Sequence, residues 1–167
     1  EMDRLIEWLP AHIPARARSE LTSIVHGDYR LDNLMFHPSE PRVLAVLDWE
    51  LSTLGHPLAD FAYHCMSWHL EPQLFRGIGG LELGPLGIPS ETEYIRRYCE
   101  RTGLATPEQL APDWNFYLAY NMFRIAAILQ GIARRWEDGT ASSEEARANG
   151  ARARPMAELA WKYAQKA

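Results

Sequence analysis

The chain has 167 residues, 47% of them apolar and 23% charged, with a net charge of −5. That length carries one domain with a core of its own. The mildly acidic balance excludes broad attraction to nucleic acid or an anionic membrane, and no apolar run is long enough to span a bilayer.

Met2, Leu5, Ile6 and Leu9 fall at helical spacing, so residues 1–9 read as an amphipathic helix, stopped by Pro10 and Pro14. The pattern is already under way at Glu1, as expected of the visible part of something longer, and nothing signal-like opens the chain. Ala15 to Thr22 is a polar connection, and Ser23-Ile24-Val25 a short apolar approach to a polar cluster, His26-Gly27-Asp28-Tyr29-Arg30-Leu31-Asp32-Asn33. Leu34-Met35-Phe36 and Arg42 to Leu47 read as two strands joined by the turn His37-Pro38-Ser39-Glu40-Pro41. This hairpin returns the chain to a second cluster, Leu47-Asp48-Trp49-Glu50, and so folds Asp48 back beside Asn33.

Ser52 to Pro57 reads as loop, and Pro57 to Leu70 as a helix whose apolar face holds Leu58, Phe61, Ala62, Cys65, Met66 and Trp68. His69 to Pro89, rich in Gly and Pro, is a long irregular excursion. Ser90 with Glu93 forms a capping box for a helix to Arg101, stopped by Gly103. Asp113 is expected to cap a long helix to about Trp136, whose stripe from Trp114 to Leu129 reads as core, with the solvated pair Arg134-Arg135 near its end and Gly139 beyond it. Ser142 with Glu145 predicts a second capping box, and Pro155 opens a last helix, Met156 to Gln165. The expected fold is α+β and mostly helical, in a single unit with a small β-hairpin carrying the polar loops.

Those loops hold the parts that phosphoryl transfer to an alcohol requires. A carboxylate must orient the hydroxyl and take its proton. Oxygen ligands must hold Mg²⁺ against nucleotide phosphates, and one or two from the protein suffice because Mg²⁺ keeps several waters. Asp28 precedes Asn33 by the Asp-x-x-x-x-Asn spacing of a kinase catalytic loop, and Asp48 follows a hairpin, where kinases place a metal-binding Asp. The reading makes Asp28 the base and Asn33 and Asp48 the ligands of Mg²⁺ and, through it, of ATP.

Three motifs together, His26-Gly27-Asp28-x-x-x-x-Asn33, Leu47-Asp48-Trp49-Glu50 and Gly55-His56-Pro57-Leu58-Ala59-Asp60, resemble the aminoglycoside phosphotransferase and choline kinase family, which shares the protein-kinase-like fold. The longer wording, together with Tyr120-Asn121-Met122-Phe123-Arg124 and Gln130-Gly131-Ile132, is similar to a narrower branch: bacterial phosphotransferase-family proteins and the kinase domains joined to some acyl-CoA dehydrogenases. The resemblance covers the chain as a C-terminal lobe and implies the same roles for Asp28, Asn33 and Asp48. It also implies a phosphate contact for Arg30, with local pairing to Asp32 as the alternative, and a structural role for Asp60 in accepting hydrogen bonds from catalytic-loop backbone. Trp49 is expected to pack near His26, which reads as a structural histidine rather than a base. Glu50 either lines the site or forms a salt bridge. Asn121 and Arg124, polar residues in an apolar helix, are expected to need partners and to face the acceptor cleft.

A complete kinase also needs a Gly-rich loop after a strand, a strand Lys and its Glu partner. Arg76-Gly77-Ile78-Gly79-Gly80 follows a helix and lies downstream of the catalytic loop, and the only lysines are Lys162 and Lys166. The expected partner is therefore an N-terminal nucleotide lobe of the same protein, absent from these residues. Cys65 and Cys99 lack a disulfide pattern and fit a reducing, cytoplasmic setting. His64 and His69 are spaced i,i+5, off one helix face, and do not read as a zinc pair. The expected activity is ATP- and Mg²⁺-dependent phosphorylation of a small-molecule hydroxyl. Because the region from His64 to Tyr120 is aromatic and apolar and its glutamates do not cluster, a hydroxyacyl compound fits better than a polycationic aminoglycoside. The rivals are a non-catalytic, pseudokinase-like binding module and a metal-dependent hydrolase, the latter short of ligands.

Overall fold

A 31-residue helix, α5 (Pro107–Glu137), forms the spine of the computed structural model, which describes residues 1–18, 21–141 and 143–167. At 1.5 Å per residue it runs about 46 Å. It starts earlier than its sequence suggests. Thr106 caps it, with the Thr106 hydroxyl accepting from the Gln109 amide and the Gln109 side chain accepting from the Thr106 amide. Asp113 therefore lies inside the helix, and so does Pro112. An interior proline costs about 3 kcal/mol. Leu110, Trp114 and Phe116, buried on either side of it, each return about 1.5–3 kcal/mol, and burial wins.

Around this spine pack α1 (Met2–Ala11), α2 (Pro57–Cys65), α6 (Glu144–Gly150) and α7 (Ala153–Ala164). Helix α1 continues through Pro10 and stops one residue on, at Ala11, because Pro10 falls in the last turn, where few hydrogen bonds remain to lose. Helix α7 packs on α5 and α1, with Met156, Ala157, Ala160 and Ala164 buried. Helix α2 is shorter than expected and passes into a 3₁₀ turn, Met66–His69. A single helical turn, α3 (Pro72–Phe75), interrupts the Gly- and Pro-rich excursion before α4 (Glu91–Thr102). Ser90 caps α4 as expected, but Glu93 turns away to pair with Arg96 and Arg97, so half of the predicted capping box forms. Gly103, at φ 65°, closes the helix. The capping box predicted at Ser142 lies outside the described residues, and the cap of α6 is Ser143.

Two small antiparallel pairs carry the polar loops. Strands β2 (Leu34–Phe36) and β3 (Val43–Val46) form the expected hairpin. Strand β1 (Ser23–Val25) pairs with β4 (Thr53–Gly55), a segment whose sequence reads as loop, in the register Ser23↔Gly55 and Val25↔Thr53. This pair brackets both polar clusters, so the 27 residues between its strands are held as one loop assembly against α2. Both cysteines are buried and unpaired. No helix among the described residues is long and apolar enough to cross a membrane.

Candidate active site

The loop after β1 is anchored from below. Asp60, in the first turn of α2, accepts the backbone N–H of His26 at 2.7 Å on one carboxylate oxygen and that of Gly27 at 2.9 Å on the other. From the opposite side Arg124 of α5 donates to the Gly27 carbonyl at 2.9 Å. Gly27 itself needs to be glycine: its φ is +84°, and a Cβ there would lie 2.7 Å from the Leu51 carbonyl oxygen.

His26, 3% exposed, uses both ring nitrogens. Nε2 bonds the Leu47 carbonyl at 2.8 Å, which requires it to carry the proton, and Nδ1 accepts the Asp28 amide at 3.3 Å. No nitrogen is left to act as a base. Trp49 packs on the ring at 4.8 Å between centroids.

Asp28 is held at both oxygens. Tyr63 of α2 donates its hydroxyl to Oδ1 at 2.6 Å, and Asn33 donates Nδ2 to Oδ2 at 3.1 Å. Arg30 Nε stands 3.2 Å from Oδ2, and the same guanidinium lies 3.6 Å from Asp32, so Arg30 bridges the two carboxylates. Asp32 is also paired with Arg76. Burial, then the bond to Asp28, pushes the Tyr63 phenol well above its ordinary value, so it is a neutral donor.

Asn33, buried, gives its amide nitrogen twice to Asp28, to the backbone carbonyl at 2.9 Å as well as to Oδ2. Its side-chain oxygen accepts no hydrogen bond among the described residues and is the atom a hard cation would use. The Leu47 amide donates to the Asn33 carbonyl at 2.8 Å, which brings the second cluster to the first. Asp48 then adopts φ 64° and ψ 57°, a left-handed conformation that costs a non-glycine residue about 1–3 kcal/mol. Hydrogen bonds on both sides impose it: Leu47 through its amide and carbonyl, and Trp49 through Nε1 to the Val46 carbonyl at 2.8 Å. The Asp48 carboxylate is exposed and unpaired among the described residues. A free amide oxygen and a free carboxylate one residue past the Asn33–Leu47 bond make a donor set that suits Mg²⁺. Glu50 is exposed and pairs with no cation among the described residues.

A cavity of about 630 Å³ opens at two of the residues that hold Asp28. Arg30 and Tyr63, both touching that carboxylate, form one wall, and Met66, Trp68, Phe75 and Tyr94 are among the residues of the others. His64 also lines it, and burial lowers the imidazole below its ordinary value, so it brings little charge.

One expectation for α5 needs correction. Asn121 does not face a cleft. It is fully buried, its Nδ2 bonded to the Ala59 and Tyr117 carbonyls and its Oδ1 accepting from Arg124. Arg124 is turned to the Gly27 carbonyl and lies over the rings of Tyr63 and Tyr120 at 5.4 and 5.8 Å. Both residues brace the loop. Tyr63 escaped the sequence reading, although its place three residues after Asp60 puts both on one face of α2.

The arrangement is that of a phosphotransferase with a protein-kinase-like fold. The model of the phosphotransferase enzyme family matches residues 1–112, and the chain belongs to that family. It is 65% identical, with a TM-score of 0.90, to a crystal structure from Ralstonia eutropha JMP134 provisionally named an aminoglycoside phosphotransferase, covering 99% of this chain and 49% of that one. It is 50% identical to mouse acyl-CoA dehydrogenase family member 10 over 99% of its length, and 44% identical to human acyl-CoA dehydrogenase family member 11 over 86%. The chain spans 15% and 18% of those two relatives.

Proposed function

We propose that the chain is the catalytic lobe of an ATP- and Mg²⁺-dependent kinase that phosphorylates a hydroxyl on an apolar small molecule. The observation that carries this reading is the placing of Asp28. Its carboxylate is held by Tyr63 and Arg30, two residues that line an apolar cavity, and by an asparagine whose nitrogen is spent on Asp28 and whose oxygen accepts no hydrogen bond among the described residues. The acceptor lies in the cavity with its hydroxyl toward Asp28, which orients it and takes its proton as the oxygen attacks the γ-phosphorus. Asn33 and Asp48 would hold Mg²⁺, which when bound would neutralise charge on the nucleotide phosphates. Arg30 turns from Asp32 toward the transferring phosphate.

The nucleotide-clamping half of the site belongs, in this reading, to another part of the same protein. The share of the Ralstonia structure that the chain spans supports it. The acceptor is best sought among hydroxy acids and hydroxyacyl thioesters. The cavity walls are mainly apolar, and Asp32, the one carboxylate among its lining residues, is already paired with arginine, which disfavours a polycation.

The test is Asp28→Ala in the whole gene product, assayed for ATP consumption across hydroxy acids, their thioesters, choline, sugars and aminoglycosides. Turnover should fall by about 10²–10⁴. Unchanged turnover removes Asp28 from the chemistry. Binding of Mg-ATP without turnover on any acceptor, by the wild type, favours a non-catalytic binding module instead.

A further inference from the structure

An aspartate on a surface loop has two free side-chain torsions, and a general base works only from the rotamer that faces its substrate. Three groups restrain Asp28. Two of them, Asn33 and Arg30, come from the same loop and have other duties in the proposed reaction. The third is Tyr63, which has no other assigned duty and stands on a helix of the core. Its bond to Oδ1, at 2.6 Å, is also the shortest of the three contacts.

Tyr63 is itself locked. It is 7% exposed, and the Arg124 guanidinium lies 5.4 Å from its ring centre. That guanidinium also holds the Gly27 carbonyl and the Asn121 amide oxygen. The contacts thus close a circuit: Asp28 to Tyr63, Tyr63 to Arg124, Arg124 to Gly27, and Gly27 back to Asp28 along the chain. The circuit ties the carboxylate to α2 and α5 and not merely to its own loop. Tyr63 also lines the cavity of about 630 Å³, so the residue that fixes the base meets whatever occupies that space.

We propose that Tyr63 is a positioning residue for Asp28, its hydroxyl fixing the carboxylate in the rotamer from which it takes the acceptor proton. This rests on the function proposed above. In the step itself the acceptor O–H bond breaks and its proton passes to Asp28. The acceptor oxygen bonds the γ-phosphorus, and the bond from that phosphorus to the β-bridging oxygen breaks. Tyr63 keeps its proton throughout and acts only through the hydrogen bond.

Tyr63→Phe isolates that bond, because phenylalanine keeps the ring under Arg124 and removes only the hydroxyl. The assay uses the whole gene product with Mg-ATP and two probes, a six-carbon hydroxy acid as acceptor and water as its surrogate, reading ADP release. Tyr63→Phe should lower kcat by about 10–100-fold, the cost of a base displaced by a fraction of an ångström to one ångström. The KM for Mg-ATP and the melting temperature should stay at the wild-type values. Tyr63→Phe combined with Asp28→Ala should be no slower than Asp28→Ala alone, since Tyr63 acts through Asp28.

Full kcat in Tyr63→Phe, with Asp28→Ala inactive, overturns the inference and leaves the function standing. So does a loss of activity that comes with a lower melting temperature or a raised KM for Mg-ATP, which marks a structural role. A double variant slower than Asp28→Ala by the same factor marks an independent role and also overturns it. Undiminished ADP release by Asp28→Ala, or none by the wild type with either probe, refutes the function itself, and the inference falls with it.

Discussion

Replacing Asp60 by Asn tests how the loop after β1 is held. The two side chains have almost the same shape, so packing is unchanged. The carboxylate accepts two backbone N–H groups, at 2.7 and 2.9 Å, one on each oxygen. An amide offers one acceptor oxygen, and its NH₂ must face the other N–H, donor against donor. A part-buried donor left unsatisfied costs about 1–3 kcal/mol, and the remaining bond loses the charge assistance that separates about 1.5–3 from about 1 kcal/mol. Asp60→Asn should therefore destabilise the fold by about 2–4 kcal/mol, a large part of the 5–15 kcal/mol of a typical domain. Asp60→Ala should lose more, since both donors are stranded. Urea unfolding followed by tryptophan fluorescence measures this, and Trp49, packed on His26, reports on the loop directly. Asp60→Asn within about 0.5 kcal/mol of wild type, the ordinary range of a neutral surface change, would refute the argument.

Gly27→Ala should destabilise by at least about 1–2 kcal/mol, from the left-handed backbone alone, and cost activity, because its Cβ would press on the Leu51 carbonyl; urea titration and turnover of the same preparation check both. Asn121→Leu should cost about 1–3 kcal/mol by stranding the Ala59 carbonyl and the Arg124 donor, read as a lower melting temperature. An altered acceptor KM at unchanged stability would instead return Asn121 to the cleft. Acid should weaken the fold through His64, whose pKa is lowered by burial from an ordinary 6.5. Below about pH 6.5 the unfolded chain binds a proton there that the folded chain does not. The stability is thus complete above that pH and is lost as pH falls toward the depressed folded value. Unfolding free energies from pH 5 to 8 should show that slope, and His64→Phe, an aromatic replacement among Tyr29, Trp68 and Tyr94, should reduce it.

What the sequence made legible was what local chemistry decides. The hairpin from Leu34 to Val46 could be read because apolar runs flank a Pro-containing turn. The Ser90 cap and the Gly103 stop could be read because capping depends on a few adjacent residues. The β1–β4 pair could not, because each strand is three residues long and its partner lies 27 residues away. The start of α5 was missed for a related reason. A proline at position 112 looks like a boundary, and only the burial of its neighbours shows that the helix can bear it. In the site, the spacing from Asp28 to Asn33 and the return to Asp48 were visible. The supports were not, since Tyr63 and Arg124 reach the loop from 35 and 97 residues away. Asn121 shows the limit of reading polarity alone. An amide in an apolar helix needs partners, and here backbone and Arg124 meet that need without a ligand.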